Sequence, residues 1–144
     1  MLYTVLKLVH VLGAIVWVGG SLVLALSTIR HLRQEEPGTV AVMLRQNAFV
    51  GQYAMGPAAA LTLLAGIAMM VVGKWPPTIW IVWGFLGLLG SAALGAGILR
   101  RELNGVAAGG DPRVAASRMA RIAAINLTLL VSVVAAMVFK PTLG

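Results

Sequence analysis

The sequence predicts an all-α protein, a transmembrane four-helix bundle with both termini outside. Three observations carry this. First, the 144 residues are 60% hydrophobic and 10% charged, whereas an ordinary soluble domain is ~25% charged. Second, the charges fence off four runs, residues 8–29, 46–73, 75–99 and 122–139, each with 18 residues or more and no formal charge when His10 is neutral. A helix rises ~1.5 Å per residue and a bilayer core of ~30 Å needs ~20 apolar residues, so each run can span. Third, the Lys and Arg residues are distributed unequally between the two ends. Four apolar runs in so short a chain leave too little polar surface for a soluble helical core.

The first helix is predicted over about 2–29. Lys7 ahead of an apolar stretch, with Ala25-Leu26-Ser27 beyond it, loosely resembles a signal peptide. The run exceeds the ~7–15 residues of a signal core, so it reads as a retained span. A charged loop follows, with Arg30, His31, Arg33, Glu35 and Glu36, broken at Pro37-Gly38. A short polar segment with Arg45 leads to Gly56-Pro57, and the second helix is predicted over about 54–73. Lys74-Trp75-Pro76-Pro77 then makes a tight turn, since two prolines cannot continue a helix. The third helix covers about 78–99. Asp111 suits an N-cap and Pro112 the first helical position, which starts the fourth helix over about 112–139. Its first turns lie in water before it enters the membrane near Ile122, and Pro141 closes it.

Arg30, Arg33, Arg45, Arg100, Arg101, Arg113, Arg118 and Arg121 lie at one end of these spans, and Lys7, Lys74 and Lys140 at the other. Basic residues accumulate in cytoplasmic loops, so the arginine end is predicted to be cytoplasmic and the protein a multi-pass component of a bacterial inner (plasma) membrane. Trp75 and Trp80 fall at the outer interface, where amphipathic rings belong. The net charge of +7 then reports topology and contact with the lipid bilayer rather than nucleic acid. The basic exits of helices 1 and 3 look faintly alike, but the positive-inside rule explains that likeness without an internal repeat.

The chain has no cysteine, which excludes structural disulfides, thiolate metal sites, Cys-ligated iron–sulfur clusters and CxxCH haem attachment. No span contains Asp or Glu, so a carboxylate proton relay is unsupported. HExxH, a phosphate-binding glycine loop and a Ser-His-Asp set are all missing. Ordinary hydrolysis and a polar ion channel have no residues to carry them.

His10 is the one ionisable side chain within a span. Such a residue suggests function, and neutral imidazole is a common ligand of haem iron and copper. At helical spacing His10, Gly13, Trp17 and Gly20 form one stripe, whose glycines admit a second helix or a flat cofactor. A histidine hydrogen-bonded to a neighbouring helix accounts for the same residues equally well. His31, beside Arg30 and Arg33, reads as a solvated loop residue. Met69, Met70 and Met137 share the outer layer with His10. Thioether with imidazole suits Cu(I), and His/Met suits haem, although most membrane methionines simply pack. Lys7, Lys74 and Lys140 snorkel from helix ends, and could hold a haem propionate or a lipid phosphate. Gly87, Ser91 and Gly95 make a small-residue ridge on helix 3, joined by Gly84. Helix 2 has a similar row in Ala59, Thr62 and Gly66, and Asn126, Thr128 and Ser132 on helix 4 can bond across helices.

The segment Leu6-Lys7-Leu8-Val9-His10-Val11-Leu12-Gly13-Ala14-Ile15-Val16-Trp17-Val18-Gly19-Gly20 resembles the first helix of a superfamily of small bacterial membrane proteins. That group includes predicted integral membrane proteins of unknown function, the membrane domain of copper-resistance protein D and the HemJ-type protoporphyrinogen oxidases. Met137-Val138-Phe139-Lys140-Pro141 is similar to its Val-Lys-Pro ending, Gly56-Pro57-Ala58-Ala59 through Thr62 and Gly66 to its second helix, and Leu99-Arg100-Arg101 to the basic exit of its third. HemJ-like proteins are four-helix bundles that bind haem b, and the resemblance would make His10 an axial ligand. They also use a lysine in helix 3. This chain departs there, with Trp80 and Trp83 and no lysine between Lys74 and Arg100. The resemblance therefore carries haem binding without that oxidation. Copper-resistance D proteins would recruit His10 with methionines instead.

Three functional expectations follow. The first is a haem b-binding electron-transfer or redox component, with His10, Gly13, Trp17 and Lys140 around the cofactor. A second axial ligand would come from a methionine or from the His10 of a homodimer partner, or an exogenous ligand or substrate would use an open site. The second is copper handling by His10 with Met69, Met70 or Met137. The third is a non-catalytic accessory subunit of a larger membrane complex, in which His10 is structural.

Overall fold

The structure, a computed structural model, describes residues 1–34 and 36–140. Its elements are α1 (Leu2–Gln34), α2 (Pro37–Val50), α3 (Gly56–Gly73), α4 (Ile79–Ala93), α5 (Leu99–Ala107) and α6 (Pro112–Phe139). A π-turn at Gly51–Met55 joins α2 to α3, and another at Leu94–Ile98 joins α4 to α5. The described residues thus form four long rods, each long and apolar enough to cross a membrane. Hydrocarbon offers the backbone no hydrogen bonds, and a helix satisfies its own. Apolar side chains such as Leu8, Ile15, Leu64, Val71 and Val131 stay exposed on the outside of the bundle, as a lipid-facing surface requires.

The rods are longer than the predicted helices. α1 continues past Ile29 to Gln34. The segment expected as a loop and a short polar stretch is the helix α2. Glu36 is extended and Pro37 occupies the first helical position, which is a favourable start. Val40, Met43 and Leu44 then bury against Ala115 and Ala116 of α6. The third rod runs on through α5 because Leu103 and Val106 pack on the same cluster. That burial outweighs the charge at Arg100 and Arg101. Asp111 and Pro112 behave as predicted: the Asp111 carboxylate accepts from the Arg113 N–H at 2.8 Å. Pro141 lies outside the described residues.

Pro57 does not begin a helix but sits inside one. Proline has no N–H, and its ring crowds the carbonyl four residues back, here that of Tyr53. The helix responds by widening. The Gly56 N–H reaches the Gly51 carbonyl, and Gly51–Met55 forms the π-turn. At the far end of α3, Lys74 adopts φ 50°. Its N–H bonds the Val71 carbonyl and that of Trp75 bonds Met70, the closing pattern that usually employs glycine.

Two buried layers hold the rods together. The middle layer is Trp17, Ala58, Leu88 and Leu130, one from each rod. The second lies at the arginine end and joins α2 to α6, with Leu32 of α1 and Leu103 of α5 packed against it. Close approach depends on glycines. Gly13 lies against Thr62 and the Ala58 carbonyl, leaving no room for a Cβ, and Gly87 lies against Val133 in the same way. A Cβ at Gly84 would stand 2.7 Å from the Met137 methyl. Gly95, expected on the same ridge, faces open space because the π-turn has rotated it outward.

Gly87→Leu should therefore destabilise the folded protein by about 1–3 kcal/mol through overpacking against α6. Gly19→Ala, in open space, should leave stability unchanged or raise it by up to ~1 kcal/mol through helix propensity. Thermal unfolding of the two variants in one detergent checks both signs.

Candidate functional site

The site forms where the α1 stripe meets α3. Helical spacing puts His10, Gly13, Trp17 and Gly20 on one face of α1. Facing them are Thr62 and Gly66 of α3 and Met55 of the first π-turn, which lies 3.5 Å from a Cβ built on Gly20. The backbones approach most closely at Gly13. One turn toward the lysine end, the His10 ring fills the space beside Gly66. A Cβ on Gly66 would be 3.2 Å from both Cε1 and Nδ1 of the imidazole. The ring is half-buried.

His10 Nδ1–H donates to the Thr62 carbonyl at 2.8 Å. A carbonyl only accepts, so the proton on Nδ1 is dictated by the partner. In the neutral ring this leaves Nε2 with an unshared pair, the electronic requirement for binding a metal centre. Thr62 is buried, and its hydroxyl is already satisfied by the Ala58 carbonyl at 2.8 Å. The side chain of Thr62 therefore packs under Gly13 while its backbone oxygen orients His10.

The other predicted site residues are dispersed. Trp17 belongs to the middle core layer and is 7% exposed. Met137 turns its methyl onto α4 at Gly84, and Met69 and Met70 are half-buried in the last turn of α3. Met69 and Met70 both continue the Thr62–Gly66 stripe, three and four residues beyond Gly66. Lys140 ends α6 with φ 44°. Its Nζ stands 5.0 Å from the Trp75 ring centre and 5.7 Å from that of Trp80. Trp75 in turn meets Trp80 edge-on at 5.5 Å and Tyr3 at 6.3 Å. The Lys140 cation thus stands over two indole faces. His31 is not a solvated loop residue: it lies in α1, is half-buried, and donates from Nδ1 to the Ser27 carbonyl at 2.8 Å. Among the described residues, no group of three or more His, Cys, Asp or Glu is placed to hold a metal ion.

Thr62 and Gly66, expected only to pack, also hold His10. The signal was available, because a histidine inside a span needs an acceptor and the small-residue row on helix 2 offered a carbonyl at close range. A buried bond between α1 and α2, in which Asn47 Nδ2 donates to Thr28 Oγ1 at 3.1 Å, is not among the expected contacts. That residue fell in a segment expected to be irregular.

The histidine geometry predicts a split between two substitutions. Thr62→Val should preserve the Nδ1-protonated ring, because the acceptor is backbone. Gly66→Val should displace the ring and abolish the bond. The ¹⁵N shifts of the His10 imidazole distinguish the outcomes.

Residues 4–141 match the family described as predicted integral membrane protein, DUF2269. No curated protein and no solved structure matches the chain. The match takes in all four rods, His10, and the α1–α3 contact that orients it. This chain belongs to the DUF2269 family of predicted integral membrane proteins.

Proposed function

We propose that the protein binds haem b within the membrane, with His10 Nε2 as an axial ligand, and serves as a redox or electron-transfer component. The observation that carries this reading is the bond from His10 Nδ1–H to the Thr62 carbonyl. A metal-binding imidazole commonly donates its other N–H to an oxygen, which sets the tautomer and raises the donor strength of the ring. What the residues present offer such a group is one imidazole with a free Nε2; the space at Gly13 is taken by Thr62 and that at Gly66 by the His10 ring itself. Haem would supply one-electron chemistry. Thr62 would orient the ligand, Gly66 would keep space for the ring, and Trp17 would close the site toward the bundle interior. Met69 and Met70, three and four residues beyond Gly66, are the thioethers on that face of α3.

Wild-type protein purified after haem-replete expression should show a Soret band, and His10→Ala should lose it. A wild type without haem, or a His10→Ala spectrum indistinguishable from wild type, overturns the assignment. Copper that co-purifies with wild type and falls in Met69→Leu and His10→Ala would replace it with the copper reading.

The same reading places the arginine end in the cytoplasm of a bacterial plasma membrane, with eight basic residues there against three at the opposite end. Single cysteines at Gly109 and Gly144 report this. The first should be shielded from a membrane-impermeant thiol reagent in intact cells and the second labelled. The reverse pattern refutes the orientation.

A further inference from the structure

One helical turn from the middle layer, toward the arginine end, the interior changes character. Ser21 follows Trp17 by four residues on α1, Ser91 follows Leu88 by three on α4, and Asn126 precedes Leu130 by four on α6. Each therefore lies on the same face as a member of one buried layer. α1 and α4 run toward the arginine end and α6 runs away from it, so all three offsets point the same way. Ser21 is 8% exposed and Ser91 2% exposed. Ser21 Oγ, Ser91 Oγ and Asn126 Oδ1 are all buried and have no protein hydrogen-bond partner.

The contrast with nearby hydroxyls is informative. Thr28, Thr62, Thr128 and Ser132 each donate back to a carbonyl of their own helix. Helical serines have the same option, and Ser21 and Ser91 do not take it. A buried polar atom left unpaired costs about 1–3 kcal/mol, and three within one layer would be a severe burden on a domain of marginal stability. The atoms carry no charge, come from three helices, and sit between two apolar clusters. A buried water typically makes ~3 hydrogen bonds to such otherwise unsatisfied groups.

We infer that the bundle holds ordered water in its core at the Ser21–Ser91–Asn126 layer, bridging α1, α4 and α6. The inference is independent of any cofactor at His10, from which the Trp17 layer separates it. Water there would let the helix faces stay apolar around a fixed polar pin, and would set the register of α4 and α6 against α1 where glycine contacts alone permit sliding.

The test uses the full chain in micelles with deuterated detergent. Wild type should show water cross-peaks to the Asn126 side-chain NH₂, with the sign of cross-relaxation rather than of proton exchange. They should disappear in the Ser21→Ala/Ser91→Ala double variant. Thermal unfolding gives a second readout. The two Ser→Ala substitutions should be non-additive, since removing one partner already loosens the water the other shares. A folded wild type without the cross-peaks, or strictly additive shifts in unfolding temperature, overturns the proposal.

Discussion

The seating of Gly13 on the Thr62 turn sets the spacing on which the rest of the bundle depends. Any side chain at that position would drive α1 off α3. With the glycine, the two backbones close to the distance at which a carbonyl of one helix can be reached from a side chain of the other. His10 uses that reach at its own end of the contact, and one turn further in Trp17 packs into a layer with Ala58, Leu88 and Leu130. The same device recurs on the opposite side of the bundle, where Gly87 seats Val133. In a membrane the hydrophobic effect does not drive helices together, so close packing of this kind must supply the association.

Polar groups inside the spans bond within their own helix or across to another, while the Ser21, Ser91 and Asn126 oxygens have neither kind of partner. Most hydroxyls turn back to their own helix, which costs the lipid-facing backbone nothing. His10 and Asn47 instead reach across to a neighbouring element. Each ties α1 to the second rod, so α1 is fixed to that rod near both of its ends. The π-turns lie between those ends. Gly51 of the first lies against Leu99, just beyond the second, so the widened turns sit side by side where the apolar rods give way to the arginine end.

Much of the architecture was legible in the sequence, because the bilayer imposes a length and a polarity that charge spacing reveals directly. Asp111-Pro112 announced a helix start by local chemistry alone, and Lys74-Trp75-Pro76-Pro77 announced a turn. Helix extent was not legible where local and tertiary signals conflict. The segment from Pro37 to Gln52 has the polar content of a loop, and is helical because Val40, Met43 and Leu44 find a surface on α6 that no local window contains. Pro57 has the look of a helix boundary, which is its usual meaning; a π-turn allows it inside a continuous rod. For the site, His10 stood out from polarity, while its partner is a main-chain oxygen and thus invisible to any reading of side-chain types. Met69 and Met70 extend that face of α3, whereas Met137 is drawn to Gly84.

The Lys140 ammonium resting on Trp75 and Trp80 gives this end of the molecule an optical character. A positive charge held over an indole perturbs the energy of its excited state, and two of the four tryptophans lie in that one cluster. Tyr3 of α1, the α3–α4 turn and the end of α6 all contribute to it. Undocking of any of the three removes a ring or the charge from the others. The intrinsic emission of the protein therefore carries a signal of whether its four rods are closed at that face, without any label being attached.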